Sequence, residues 1–236
     1  MANFKTHLAV AAACSGVMAT GFLEAGVAAP RDVGLYFVMG TLGGILPDID
    51  ADHSVPGRMM FSFFALVIAF LTLFSRAGVY SIAELSILWA VTYVVVRYVI
   101  FLMFARLSVH RGVFHSLLAA AFFGLLTTSL AYHLFRLSTL GAWMSGLFVS
   151  VGYMIHLLLD EVCSVDLTGA RVKRSFGTAL KLISSNVKTT GLLVLATMLV
   201  FYTTPSADRF VRTVLNFDTY KSIKGQLLPK AGWFKL

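Results

Sequence analysis

Leu46-Pro47-Asp48-Ile49-Asp50-Ala51-Asp52-His53-Ser54 closes an apolar, glycine-rich segment that begins at Val33. Three of the chain's eleven acidic residues and one of its six histidines lie between Asp48 and His53. Carboxylates alternating along a short turn can converge on one cation, because oxygen and imidazole donors suit hard or borderline divalent metals. Read alone, the stretch fits equally well a solvated acidic loop between two membrane helices. Its company decides between the two. His110-Arg111-Gly112-Val113-Phe114-His115 and His156-Leu157-Leu158-Leu159-Asp160 again set imidazole and charged side chains at the ends of hydrophobic segments. The remainder of the chain reads as a frame that gathers those ends.

Composition says what kind of frame. Of the 236 residues, 58% are hydrophobic and only 13% are charged, with a mean hydropathy of +0.83. A soluble domain carries roughly 25% charged residues, so half of the usual polar surface is missing. The expected fold is an all-α, polytopic membrane bundle of about six to seven transmembrane helices. Residues 1–204 form its embedded domain, and residues 205–236 form a basic, partly amphipathic tail. The formal charge of +8 reflects basic loops beside anionic lipid and does not call for a nucleic acid partner. Cys14 and Cys163 stand far apart without a CxxC pattern, so neither a disulfide framework nor a thiolate metal site is expected. No internal repeat and no nucleotide-binding glycine motif is present.

The first apolar run spans Leu8 to Ala28, about the ~20 residues a membrane helix needs. A cleaved signal peptide with Lys5 as its basic end is the competing reading, against which stand the length of the run and Glu24 near its end. Val33 to Leu46 has four glycines and, at ~1.5 Å per residue, covers roughly 21 Å of a ~30 Å hydrocarbon core. It either re-enters or crosses and leaves Asp48 below the membrane surface. Further spans are expected at Met59–Ser75, Ser86–Phe104, Val113–Phe135 and Gly141–Leu159, with Thr190–Tyr202 marginal and Pro205 ending it. Phe210, Val214 and Phe217 recur at helical spacing in the tail, as an interfacial helix requires.

Counting crossings from His7 returns the chain to one side at Asp48, again just before His110, and again at His156 and Asp160. All candidate site residues therefore share a face. Loops on that face up to Lys188 hold Lys5, Arg58, Arg106, Arg111, Arg171, Lys173, Arg174, Lys181 and Lys188, while the opposite loops hold Arg31, Arg76 and Arg136. Nine basic residues against three place the site on the cytoplasmic face of an inner membrane by the positive-inside rule.

His156 and Asp160, four apart on a helix, share a face and can serve one metal; a buried His–Asp hydrogen bond is the bland alternative. His110 and His115 are five apart, ~140° around an ideal helix. Gly112 suggests that His110 precedes the helix and His115 occupies its first turn, so that both imidazoles converge. Arg111 offers the planar fork that fits a phosphate, or else is an ordinary positive-inside residue. His7 begins the first span. Asp48, Asp50 and His53 complete the donor set, with Asp48 or Asp50 bridging metals or orienting water. Seven or eight nitrogen and oxygen donors exceed what one tetrahedral zinc needs, so two or more ions are expected. His133, near the opposite end of its span, is left out of the set.

With these residues in place, the chain resembles the LexA-regulated membrane-bound metal-dependent hydrolases. The resemblance rests on Thr6-His7, Gly44-x-Leu46-Pro47-Asp48-Ile49-Asp50, His110-Arg111-Gly112-x-x-His115-Ser116 and Gly152-x-x-x-His156-x-x-x-Asp160, and covers roughly residues 6 to 165. That family is distantly similar to the all-helical zinc phospholipases C and P1-type nucleases, which implies phosphoester hydrolysis at zinc ions bound by His and Asp. Asp52-His53 departs from the simplest pattern, in which a histidine closely follows the second aspartate. The expected function is hydrolysis of a phosphoester in a membrane lipid, anionic lipids being the expected partners. The alternative is a metal transporter or metal sensor, for which ligands near the midplane and inverted repeats would be expected.

Overall fold

The computed structural model describes residues 4–50, 55–76, 78–100, 114–163 and 187–221, with short pieces at 165–166, 171–172, 181–182 and 223. Side chains are described for all of these except 49–50, 55–61, 63–64, 165–166 and 171–172.

Helix α1 (Phe4–Glu24) ends four residues before the apolar run does. Gly26 adopts φ 71°, and the N–H groups of Val27 and Ala28 both turn back onto the carbonyl of Phe22 at 2.9 and 3.0 Å. A left-handed glycine just past a helix end is the usual stop. Pro30, whose missing N–H costs nothing at a first helical position, then starts α2 (Pro30–Gly43). A 3-10 turn follows over Leu46–Asp50.

Helices α3 (Val55–Arg76) and α4 (Ile82–Val94, continued by a π-helical stretch over Val95–Ile100) pair with one another, Phe70 lying edge-on to Trp89 at 5.6 Å. The start of α4 is set by a capping box, Ser81 accepting from the Glu84 N–H while the Glu84 carboxylate accepts from Ser81 N. Their outer faces carry Phe74, Ile82, Ile87, Val91 and Tyr98, all exposed, as a lipid-facing surface would.

Helix α5 (Leu117–His133) and α6 (Thr139–Val162) are N-capped by Ser116 and Ser138. Helix α7 (Val187–Thr203) packs along α5. There Ser129 and Thr203 hydroxyls meet at 2.7 Å, and His133 Nε2 donates to the Thr203 carbonyl at 2.7 Å. That contact gives His133 a structural role. After the break at Pro205 the chain bends by 95° into α8 (Asp208–Val214). The tail expected from residue 205 is thereby held to the bundle: Trp143 Nε1 donates to Pro205 O at 3.0 Å, and Trp143 stacks on Phe210 at 5.6 Å. Apart from an antiparallel two-residue ladder, Val165–Asp166 with Arg171–Val172, the described fold is helical.

Among the described residues, three helices are long and apolar enough to cross a membrane: Phe4–Glu24, Ile82–Ile100 and Thr139–Val162; the bent α7–α8 pair would make a fourth. The six to seven spans expected from the apolar runs are not confirmed among the described residues. Helix α2 has 14 residues and α5 has 17, hence ~21 and ~26 Å at 1.5 Å per residue.

The centre of the bundle is α1, α2 and α6, where small residues let backbones touch. A Cβ added at Gly152 would collide with the Gly40 carbonyl, one at Gly43 with the Val149 carbonyl, and one at Gly44 with the Ala11 side chain. Phe22, Tyr36, Met144 and Phe148 fill one end of this core; Phe114, Tyr153, Leu157 and Leu193 fill the other. With Cys14 and Cys163 replaced, single cysteines at Lys5 and Glu161 should label from one side of the membrane, and cysteines at Arg31, Gly78 and Ser138 from the other. Mixed labelling within either group would contradict the alternation of spans.

Candidate metal centre

Four chain ends meet at one end of the bundle. His7 stands in the first turn of α1, one turn before Ala11, whose side chain lies against Gly44. Asp48 follows α2 in the 3-10 turn, and His156 and Asp160 occupy the last turns of α6. His115 comes immediately before the α5 cap. The structure corrects its expected place in the helix's first turn, because the Ser116 hydroxyl accepts from the Ala119 N–H at 3.2 Å and starts the helix one residue later.

Two contacts hold His115 there. The Tyr153 hydroxyl, one turn before His156, donates to the Phe114 carbonyl. The N–H groups of Leu117 and Leu118, which no helical carbonyl can satisfy, donate to the carbonyls of Lys181 and Leu182 at 2.9 and 3.3 Å. Lys181 and Leu182, from the polar stretch after α6, thus lie beside the site. Neither Tyr153 nor this contact was anticipated from the sequence. The signal for Tyr153 was present in its helical spacing from His156; the contact has no sequence signal.

The side chains converge closely. Asp160 Oδ1 lies 3.3 Å from His7 Nε2, and its Oδ2 lies 3.6 Å from both His115 Nε2 and His156 Nε2. His156 Nε2 is also 3.5 Å from Asp48 Oδ1. The His7 and His156 rings stack with centroids 3.7 Å apart and planes 13° from parallel. His7, His156 and Asp160 are buried, while Asp48 is 30% exposed and His115 15%.

These distances carry chemical information. His156 Nδ1 lies 2.8 Å from the Gly44 carbonyl, which can only accept, so Nδ1 bears the hydrogen. In the neutral ring Nε2 then holds a lone pair. That lone pair faces two carboxylates, and Nε2 has no hydrogen-bond partner among the described residues. A buried acceptor aimed at two anions is unfavourable unless a cation lies between them. Two donors each ~2.05 Å from a tetrahedral zinc are about 3.4 Å apart, which matches the 3.3 to 3.6 Å observed and exceeds a good N–H···O distance. The Nδ1–H to carbonyl bond is also how metal-bound histidines are commonly oriented. The donor set fits a transition metal.

Two overlapping trios, His7–His156–Asp160 and Asp48–His115–His156, have ligand atoms within 4.8 Å of one another. They share His156 Nε2, which has one lone pair and can serve one ion. A second ion would draw on donors beyond the described side chains. Of the residues expected at the site, the structure brings together His7, Asp48, His115, His156 and Asp160. His53, His110, Arg111 and the Asp50 side chain lie outside the described residues.

Neither a curated protein nor a solved structure matches the chain. The sequence does match one family over residues 1–217, which takes in both the helical bundle and the His/Asp cluster. With its apolar spans, the chain is an integral inner membrane protein and belongs to the YdjM inner membrane protein family.

Proposed function

We propose that the chain is a membrane-bound metal-dependent hydrolase that cleaves a phosphoester of a membrane lipid. The observation that carries this reading is the buried His156 Nε2, without a hydrogen-bond partner among the described residues, between Asp48 and Asp160, with His7 and His115 alongside. A divalent metal there, zinc by its nitrogen and oxygen donors, would supply a Lewis acid that activates water and offsets charge gathering on phosphate oxygens. His156 is locked in one tautomer by Gly44. Asp160 offers one oxygen to His7 and the other to His115 and His156, so it, rather than Asp48 or Asp50, would be the carboxylate shared between ions if two were bound. Asp50 is assigned to orienting water and Arg111 to clamping the phosphate; His53 and His110 are assigned as further metal ligands.

Depth supports a lipid substrate. The cluster stands beyond the end of α2, whose ~21 Å is shorter than a ~30 Å hydrocarbon core, and we take Asp48 to lie below the head-group level. A phosphoester at the glycerol or isoprenoid boundary reaches that level laterally. The cluster also lies at helix ends, whereas transporters place their sites near the midplane. The basic residues of the site-side loops favour the cytoplasmic face and anionic lipids. Purified protein incubated with native phospholipids and isoprenoid phosphates should release a phosphorus-containing product from one lipid class. Equal cleavage of soluble phosphoesters would contradict lateral entry, and absence of any hydrolysis in metal-loaded protein would contradict the proposed activity.

A further inference from the structure

At the end of the bundle opposite the His/Asp cluster, the α1–α2 turn, the start of α6 and α8 line an open cavity of about 550 Å³. Ser138 at its wall and Asp160 in the cluster are separated by ~33 Å of helix at 1.5 Å per residue, so the cavity lies at the other membrane boundary. Its size suits a small ligand.

The cavity is built around a tyrosine. Tyr36 is 3% exposed, and its ring is fixed by stacking on Phe148 at 5.3 Å. Its hydroxyl points past Gly141, where an added Cβ would stand 3.7 Å from the oxygen. Tyr36 lines the cavity, its ring buried.

Around it the lining offers both signs of charge. Arg209, in the first turn of α8, supplies a guanidinium, and α2 begins at the wall without a side-chain cap, its positive end reinforcing the cation. Asp32 supplies a carboxylate, which among the described residues pairs with the highly exposed neighbouring Arg31 at 3.7 Å. Leu23, Val27 and Leu140 add apolar wall. An anion alone would face Asp32, and a cation alone would face Arg209. A zwitterion satisfies both.

We propose that this cavity binds the ammonium-ethyl phosphate head group of a membrane lipid. The phosphate sits against Arg209, the α2 start and the Tyr36 hydroxyl; the ammonium donates to Asp32; the glycerol ester lies along Leu23, Val27 and Leu140. The site is separate from the metal centre and does not depend on hydrolysis.

The test is lipid retention by native mass spectrometry, with protein extracted from bilayers holding equal phosphatidylethanolamine, phosphatidylglycerol and phosphatidylcholine. Wild type should retain one phosphatidylethanolamine with about tenfold preference over each of the others, since a hydrogen bond between charged groups is worth about that factor. Phosphatidylglycerol lacks the ammonium, and phosphatidylcholine lacks an N–H. Asp32→Asn should bring the ratios close to one, and Tyr36→Phe should weaken retention about fivefold; monodispersity and metal content at the distant cluster report whether each variant is folded. Equal retention of the three lipids by wild type would overturn the proposal without any variant. So would unchanged selectivity in Asp32→Asn. Short-chain phosphatidylethanolamine should bind more tightly than free phosphoethanolamine, and equal binding would overturn the assignment to a lipid.

Discussion

Asp160→Asn should abolish lipid hydrolysis while leaving the protein folded. The substitution preserves shape but removes the negative charge that faces His7, His115 and His156 at 3.3 to 3.6 Å. Loss of a residue that merely orients a ligand typically costs 10- to 100-fold in metal affinity or activity. Loss of a carboxylate shared by three histidines should cost at least ~100-fold on that scale. Expression and detergent monodispersity should stay close to wild type, because removing metal also removes the need for a buried anion. Hydrolysis rates on the responsive lipid, set beside size-exclusion profiles, check both halves. Equal activity in Asp160→Asn and wild type would remove this residue from the site.

Gly152→Ala should be nearly as damaging, by a different route. The new methyl would collide with the Gly40 carbonyl and approach Gly44 N at 2.9 Å. Both are backbone, so α2 and α6 must part. Overpacking a close-fitting interface typically costs about 1–3 kcal/mol. Here the displaced backbone also carries the Gly44 carbonyl that fixes His156 and leads on to Asp48. Thermal unfolding in detergent should shift down and metal retention should fall together. Gly21→Ala and Gly34→Ala meet nothing within 4 Å and serve as controls. An alanine in a helix is favoured over glycine by roughly 0.5–1 kcal/mol, so these should be neutral or mildly stabilising. A Gly152→Ala protein as stable as the controls would contradict the tight α2–α6 packing.

The helices were largely readable because hydrophobic runs report them directly, and alternating the runs puts His7, Asp48, His156 and Asp160 on one side; the number of spans was not readable in the same way, since α2 and α5 are apolar yet short. The i, i+4 spacing of His156 and Asp160 was legible for the same geometric reason, and it holds at 3.6 Å. Element ends were less legible. The run to Ala28 conceals a turn, since Val27 and Ala28 are as apolar as the helix before them. The α4 start lay in view as Ser81 and Glu84, yet hydropathy alone overlooks a capping box. Gly112 is a misleading marker for His115, because the side chain that starts the helix is Ser116. The tautomer of His156 was beyond sequence reading: the group that sets it is a backbone carbonyl 112 residues away. Likewise, nothing in Phe210 or Trp143 alone announces that they stack, holding α8 on the bundle.

The central claim is that the convergent histidines and carboxylates hold a metal. Elemental analysis of purified, folded protein tests it most directly, with extraction free of chelators. At least one zinc or comparable divalent transition metal per chain is expected in wild type, and close to none in His156→Ala. Wild-type protein that is monodisperse yet carries no metal above background, and takes up none on titration with zinc, would contradict the account.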